Sequence, residues 1–229
     1  ALATSEKKAN STEITKETLS PAAEPQWVPA EPEEEDPHIR TLEEIDLAAL
    51  REVNPDVVGW ILIPDSKISY PILQGEDNDY YLNHTFEGKW SAWGAIYARE
   101  ACDVFRPSDN ITLYGHHMKD GSMFAGLHAY MKREFWENHR YIRFDTLTEH
   151  HTYEIVCVFK THAKDGYPYH RFENAMTREA FDEFVSTVKS MQFYETGVTA
   201  QYGDKLLCLS TCEYSLGDGR FVVVAKRIK

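Results

Sequence analysis

The chain has 229 residues, 24 of them Lys or Arg and 37 Asp or Glu, for a formal charge of −13. A field of that sign opposes phosphate and anionic lipid, which counts against nucleic acid and an acidic membrane surface as partners. A 42% hydrophobic share with 13% aromatic residues suffices for a substantial core, no run approaches the roughly 18 apolar residues of a membrane span, and four cysteines without a C-x-x-C pair form neither a disulfide scaffold nor a zinc knuckle.

Residues 1–40 differ in composition from the rest. They hold five of the ten prolines, no glycine, and nine acidic against four basic residues, including the run EPEEEDP at 31–37. So polar a segment buries too little apolar surface to offset its ordering entropy, and it is expected to be an extended or disordered, self-repelling linker. Trp27 and Val28 are its apolar exceptions, but two apolar residues in so polar a segment are not expected to dock on the body. The start at Ala1 without a methionine is what a processed or trimmed chain would give, one that has lost an N-terminal signal or anchor.

The body, 41–229, opens with T-L-E-E, a capping-box pattern that predicts a helix carrying Leu42, Ile45, Ala49, Leu50 and Val53 and ending at Asn54-Pro55. Eight short runs of β-branched and aromatic residues follow, at 57–63, 68–73, 95–99, 111–114, 141–145, 152–161, 205–211 and 220–227, most of them set apart by Gly, Pro, Asp or Asn. Eight strands in so short a body predict a mainly β fold, a closed or nearly closed barrel and not a parallel α/β sheet. Two helical stretches interrupt the strands, one near 122–138 and one over 177–191. In the second, Thr177 is the expected cap and Phe181, Phe184, Val185, Val188 and Met191 form the stripe that packs on the barrel.

Chemistry is expected where the last two strands meet. KLLCLSTC ends at Cys212, the loop EYSLGDG follows, and Arg220 opens RFVVVAKRI. Paired as an antiparallel hairpin, these strands set the thiol beside the guanidinium, and a fixed positive charge favours thiolate and holds a developing oxyanion. In ITLYGHHM, 111–118, a strand runs into Gly115 and delivers an imidazole to the barrel rim, which is what a cysteine nucleophile needs as general acid and base. His116 is the better placed, with His117 the alternative. His150, His151, His162 and His170 lack zinc-ligand spacing, so no metal and no cofactor is expected. Asp103, Asp109 and Asp120 lie on loops and are more simply solvated than cation ligands. Cys157 and Cys208 fall inside strands and are expected to be buried small hydrophobes, or a disulfide if adjacent.

Taken in order, these pieces resemble the sortases, the cysteine transpeptidases of Gram-positive cell surfaces. The resemblance rests on Y-G-H after a strand, L-S-T-C closing a late strand, the Arg opening the next one, W-I-x-I-P at Trp60–Pro64, Y-P-I-L-Q-G at 70–75 and D-N-D-Y-Y-L-N-H at 77–84. It runs from about residue 41 to the C-terminus, and the long helix between strands 6 and 7 is the mark of class B. The resemblance implies an eight-stranded barrel with an N-terminal helix and that inserted helix. It implies Cys212 as the nucleophile on the threonine carbonyl of a sorting signal, His116 as proton donor and acceptor, and Arg220 as the contact to substrate backbone and oxyanion. Tyr114, Ser210, Thr211 and Glu213 are expected to line the substrate site, with the Glu213 backbone N–H a candidate oxyanion donor. The implied partners are the sorting-signal peptide of surface proteins and an amine acceptor from a peptidoglycan precursor or a pilin. The membrane enters only through an N-terminal anchor outside this chain, at the extracellular face. A Cys-His peptidase or amidase that passes the acyl group to water is the alternative, and a noncatalytic peptide-binding barrel is a third reading. Asp36-Pro37-His38 departs from the Asp-Pro-aromatic lid of pilus-building sortases, which favours anchoring over polymerisation.

Overall fold

The computed structural model describes residues 45–229. The acidic segment, Trp27, Val28 and the T-L-E-E capping pattern lie outside the described residues. Helix α1, Leu47–Val53, is capped by Asp46, whose carboxylate accepts the Ala49 N–H at 3.0 Å, and it stops at Asn54 as expected. Leu47 and Leu50 pack on Val57, Leu73, Tyr81 and Tyr97.

Eight strands follow: β1 Val57–Leu62, β2 Ser69–Leu73, β3 Ile96–Ala98, β4 Asn110–Tyr114, β5 Tyr141–Thr146, β6 His150–His162, β7 Leu206–Glu213 and β8 Gly219–Arg227. They close into a barrel in the order β1-β2-β3-β4-β7-β8-β6-β5. The β2–β3 and β4–β7 pairs are parallel and the others antiparallel. β7 is paired with β4 on one side and β8 on the other.

The period-two alternation of strands divides the core in two. Leu207, Leu209, Phe221, Val223, Ala225, Ile155 and Val158 point into the barrel. Leu206, Cys208, Val222, Val224, Val156, Cys157 and Phe159 point outward and are covered by Phe181, Phe184, Val185 and Val188. Those four belong to α3, Arg178–Ser190, which Thr177 caps by accepting the Ala180 N–H at 3.2 Å. Because both faces of β7 and β8 are covered, their sequences read as nearly continuous apolar runs. Val156 and Cys157 both face outward because the β6–β8 register shifts between Ile155 and Cys157, a bulge that puts two residues opposite one.

The helix expected near 122–138 is divided. A 3-10 stretch spans Phe124–Met131, Lys132 is extended, and α2 runs over Arg133–Asn138. The physical reason lies in the spacing: the buried side chains of the first part, Phe124, Leu127 and Tyr130, recur every three residues, the period of a 3-10 turn and not of an α-helix.

Candidate active site

The strand pairing brings the expected triad together. Cys212 and Arg220 are direct cross-strand partners on β7 and β8. Tyr114, the last residue of β4, pairs with Ser210, and the Gly115 N–H donates to the Ser210 carbonyl at 3.1 Å, so His116 leaves the sheet beside Cys212. Gly115 is needed for space, since a Cβ there would collide with Ile96 and Phe124. Its φ is not positive, so the demand for glycine comes from packing and not from the sharp turn expected at that position.

His116 Nε2 donates to the Leu82 carbonyl at 2.7 Å, which fixes the ring and leaves Nδ1 for the thiol. Leu82 ends the 3-10 turn Tyr80–Leu82, within the D-N-D-Y-Y-L-N-H motif. Each member of the pair favours the charged form of the other. The hydrogen bond with His116 lowers the Cys212 pKa, partial burial opposes it, and the Arg220 charge adds to the lowering. The bond to Cys212 raises the His116 pKa, burial opposes, and the Leu82 carbonyl assists. The arrangement is a half-buried thiol poised to be thiolate beside an imidazole poised to be imidazolium.

Arg220 Nη1 donates to the Gly219 carbonyl at 2.9 Å and lies 3.8 Å from Asp218. A cleft in front of these groups is lined by Tyr114, Gly115, His116, Ser210, Thr211, Cys212 and Arg220. Its far wall is Asn78, Asp79, Leu82 and Tyr97. A second cavity, lined by His162, Ala163, Tyr167, Tyr169 and His170, adjoins the first through Tyr114 and Arg220.

Of the substrate-lining residues expected from sequence, Tyr114, Ser210 and Thr211 line the cleft and Glu213 does not. Ser210 and Cys212 share the outward face, and the Ser210 hydroxyl is held by Tyr169 OH at 2.6 Å. Ser210, Thr211 and Glu213 are all buried, and Thr211 reaches the cleft although it shares the strand parity of Glu213. Glu213 Oε2 lies 3.0 Å from Lys160 Nζ and 3.5 Å from His128 Nδ1, at the end of the barrel interior. Burial raises the Glu213 pKa, but hydrogen bonds from Ser215 and Lys160 outweigh it and bring it down to about 2. No sequence pattern marks Asn78, Asp79, Leu82, Tyr97 or Tyr169 individually as site residues. The motif at 77–84 points to the first three as a group.

The other cysteines are of a different kind. Burial pushes the Cys102 thiol up to about 11 and Cys157 up to about 12, and raises Cys208 well above its ordinary value. Cys157 and Cys208 both register against Val224, so β8 lies between them. Two strand spacings put their Cα atoms about 9.6 Å apart, beyond the roughly 7 Å that a disulfide spans, and all four cysteines are free.

Among the described residues no group of three or more His, Cys, Asp or Glu is arranged to hold a metal ion. Asp103 caps the Phe105 and Arg106 N–H groups, Asp109 pairs with Lys205 at 2.8 Å, and Asp120 accepts from Ser122.

A cysteine paired with histidine and arginine at the rim of a closed β-barrel defines a thiol acyl-transfer enzyme, and likeness to known proteins gives the family. The sortase domain matches residues 61–228. Sortase B of Staphylococcus aureus is 36% identical over 183 residues, covering 79% of this chain and 74% of that protein. The structure of a Staphylococcus aureus sortase B–substrate complex superposes with a TM-score of 0.75 at 34% identity, covering 80% of this chain and 84% of the other. Clostridium perfringens sortase B gives a TM-score of 0.76 at 29% identity, covering 80% of this chain and all of that one. The chain belongs to the sortase family, in class B, and is a cysteine transpeptidase that acts on sorting motifs.

Proposed function

We propose that Cys212, His116 and Arg220 are the catalytic residues. The observation that supports this best is the mutual polarisation of Cys212 and His116 beside Arg220, the direct cross-strand partner of Cys212. Cys212 Sγ attacks the carbonyl of the motif threonine, and the negative charge that develops on its oxygen is met by the Arg220 guanidinium. His116, protonated on Nδ1, gives that proton to the departing amine, leaving a thioester on Cys212. An incoming amine then loses a proton to the same nitrogen as it attacks the thioester, which releases the thiolate and joins acyl group to amine. The residues of the motif before threonine lie along Tyr114, Ser210 and Thr211 toward the second cavity. Glu213 contributes through its main chain, since its carboxylate is committed to Lys160 and Ser215.

The acceptor in this reading is a peptidoglycan-precursor or pilin amine, and the enzyme works at the outer face of the cell membrane with residues 1–40 as an acidic tether. Sortases are cell-surface enzymes, and no helix among the described residues is long and apolar enough to cross a membrane.

The test is a peptide series varying the first position of X-P-x-T-x, incubated with and without a diaminopimelate peptide or oligoglycine and followed by mass spectrometry. The reading predicts an acyl adduct on Cys212, faster turnover and a ligated product when amine is present, and neither cleavage nor adduct in Cys212→Ala. Acid as the only product at saturating amine would make the chain a peptidase, and turnover in Cys212→Ala would remove Cys212 from the mechanism.

A further inference from the structure

β7 continues past the end of β4. The Ser210 carbonyl is the last on that side to receive a backbone N–H from the β4 segment, that of Gly115. Carbonyls two residues apart point to the same side of a strand, so the Cys212 carbonyl faces the place where β4 would have continued. There it meets two side chains: His117 Nδ1 and His128 Nε2 each lie 3.2 Å from its oxygen. For both to donate, His117 carries a proton on Nδ1 and His128 on Nε2.

Each ring is held in turn. His128 stacks on Phe221, 4.6 Å between centroids, with its Nδ1 toward Glu213, and it packs edge-on to His117 at 4.1 Å. Tyr214 OH donates to the His117 carbonyl at 3.1 Å, and the Phe124 N–H donates to the His116 carbonyl at 2.9 Å. His117 and His128 thus reach the nucleophile through its main chain and not its sulfur.

We propose that His117 and His128 are positioning residues for the transpeptidation reaction, a pair of imidazole donors that replaces the missing strand at the Cys212 carbonyl and so fixes the backbone from which the thiol projects. A nucleophile whose main chain is free to rotate at a strand end loses its line to the substrate carbonyl and to His116, and misplacement by about 1 Å costs on the order of 10²-fold in rate. The proposal rests on Cys212 being the nucleophile.

The variants are chosen to separate donation from packing. His128→Phe keeps a flat ring against Phe221 and cannot donate, His128→Gln returns a donor, and His117→Ala removes the other donor from a half-buried loop position. Cleavage of a sorting-motif peptide is measured as kcat and KM, with the melting temperature of each variant and Cys212→Ala alongside. The expected result is a fall in kcat of about ten- to a hundredfold in His128→Phe with KM nearly unchanged, a smaller fall in His117→Ala, and recovery of most of the rate in His128→Gln. Rates within twofold of the parent in both His128→Phe and His117→Ala overturn the proposal while leaving Cys212 as nucleophile if Cys212→Ala is inactive. Should His128→Phe fail to fold, His117→Ala and His128→Gln decide: parental kcat in His117→Ala, or a loss in His128→Gln that follows the melting temperature, overturns it. Turnover in Cys212→Ala would instead remove the nucleophile assignment beneath it.

Discussion

Cys208 and Cys212 lie four residues apart on one strand and on the same face of it, yet one thiol is pushed toward the neutral form and the other toward the anion. The difference is what lies above each. At Cys208 the outward face of β7 is roofed by α3, with Phe181, Phe184, Val185 and Val188 over Val222, Val224 and Cys157. Desolvation outweighs the lowering effect of a hydrogen bond with Asn110 there, and the thiol is a small apolar filler. At Cys212 the roof has ended, His116 and Arg220 replace the phenylalanines, and hydrogen bonding plus positive charge outweigh partial burial. The same residue type on the same strand becomes inert or reactive according to its neighbours.

The sharpest way to break this contrast is at Arg220. Replacing it by Lys keeps the charge but removes the planar fork that can hold substrate carbonyl and oxyanion together. We expect a loss of about a hundredfold or more in kcat/KM, the scale of an oxyanion donor worth ~2.7–4 kcal/mol. A Lys variant within about threefold of the parent would mean that Arg220 acts through its field alone. Cys208→Ala probes the other end: a stability loss on the order of 1 kcal/mol, the cost of a small void in a packed core, with kcat/KM unchanged. A fall in activity larger than the loss of folded protein would show the two ends to be coupled. The smallest effect is expected from deleting residues 1–36, which should leave both melting temperature and peptide cleavage nearly unaltered if that acidic segment is a tether. A marked fall in either would give Trp27 and Val28 a docking role.

Much of this contrast is legible in the amino-acid sequence. The eight β-branched runs correspond to eight strands with ends displaced by only a few residues, because in so short a body turn residues leave little freedom in where a strand stops. Thr177 and the stripe behind it mark α3, since cap and amphipathic face coincide. The juxtaposition of Cys212 and Arg220 follows from hairpin geometry, which is local. The parallel β4–β7 pairing that brings His116 to Cys212 joins segments about a hundred residues apart, and only the family resemblance anticipates it. Leu82 enters through its carbonyl, which every residue possesses, so no side-chain pattern can mark it. His128 sits in a 3-10 stretch whose three-residue apolar spacing is plain in the sequence, yet the apolar content of 122–138 as a whole suggests one longer helix and hides it. That Ser210 and Cys212 share one face of β7 and Thr211 and Glu213 the other is strand parity, available from the sequence once β7 is granted.

The central claim is that His116 and Cys212 set one another's protonation, and the rate of Cys212 alkylation as a function of pH tests it most directly, in the parent and in His116→Ala. A folded-state thiol pKa held below its ordinary value makes thiolate appear at lower pH, and a raised imidazole pKa keeps imidazolium present to higher pH, so the charged pair coexists over a window between two apparent values that belong to the pair. The account predicts that the alkylation midpoint lies below that of an ordinary thiol in the parent and moves upward in His116→Ala, where the largest lowering influence is gone. It also predicts that the parent's kcat/KM against pH is a bell lying within that window. Superimposable alkylation curves in the two proteins, with kcat/KM rising to a plateau at high pH, would contradict it.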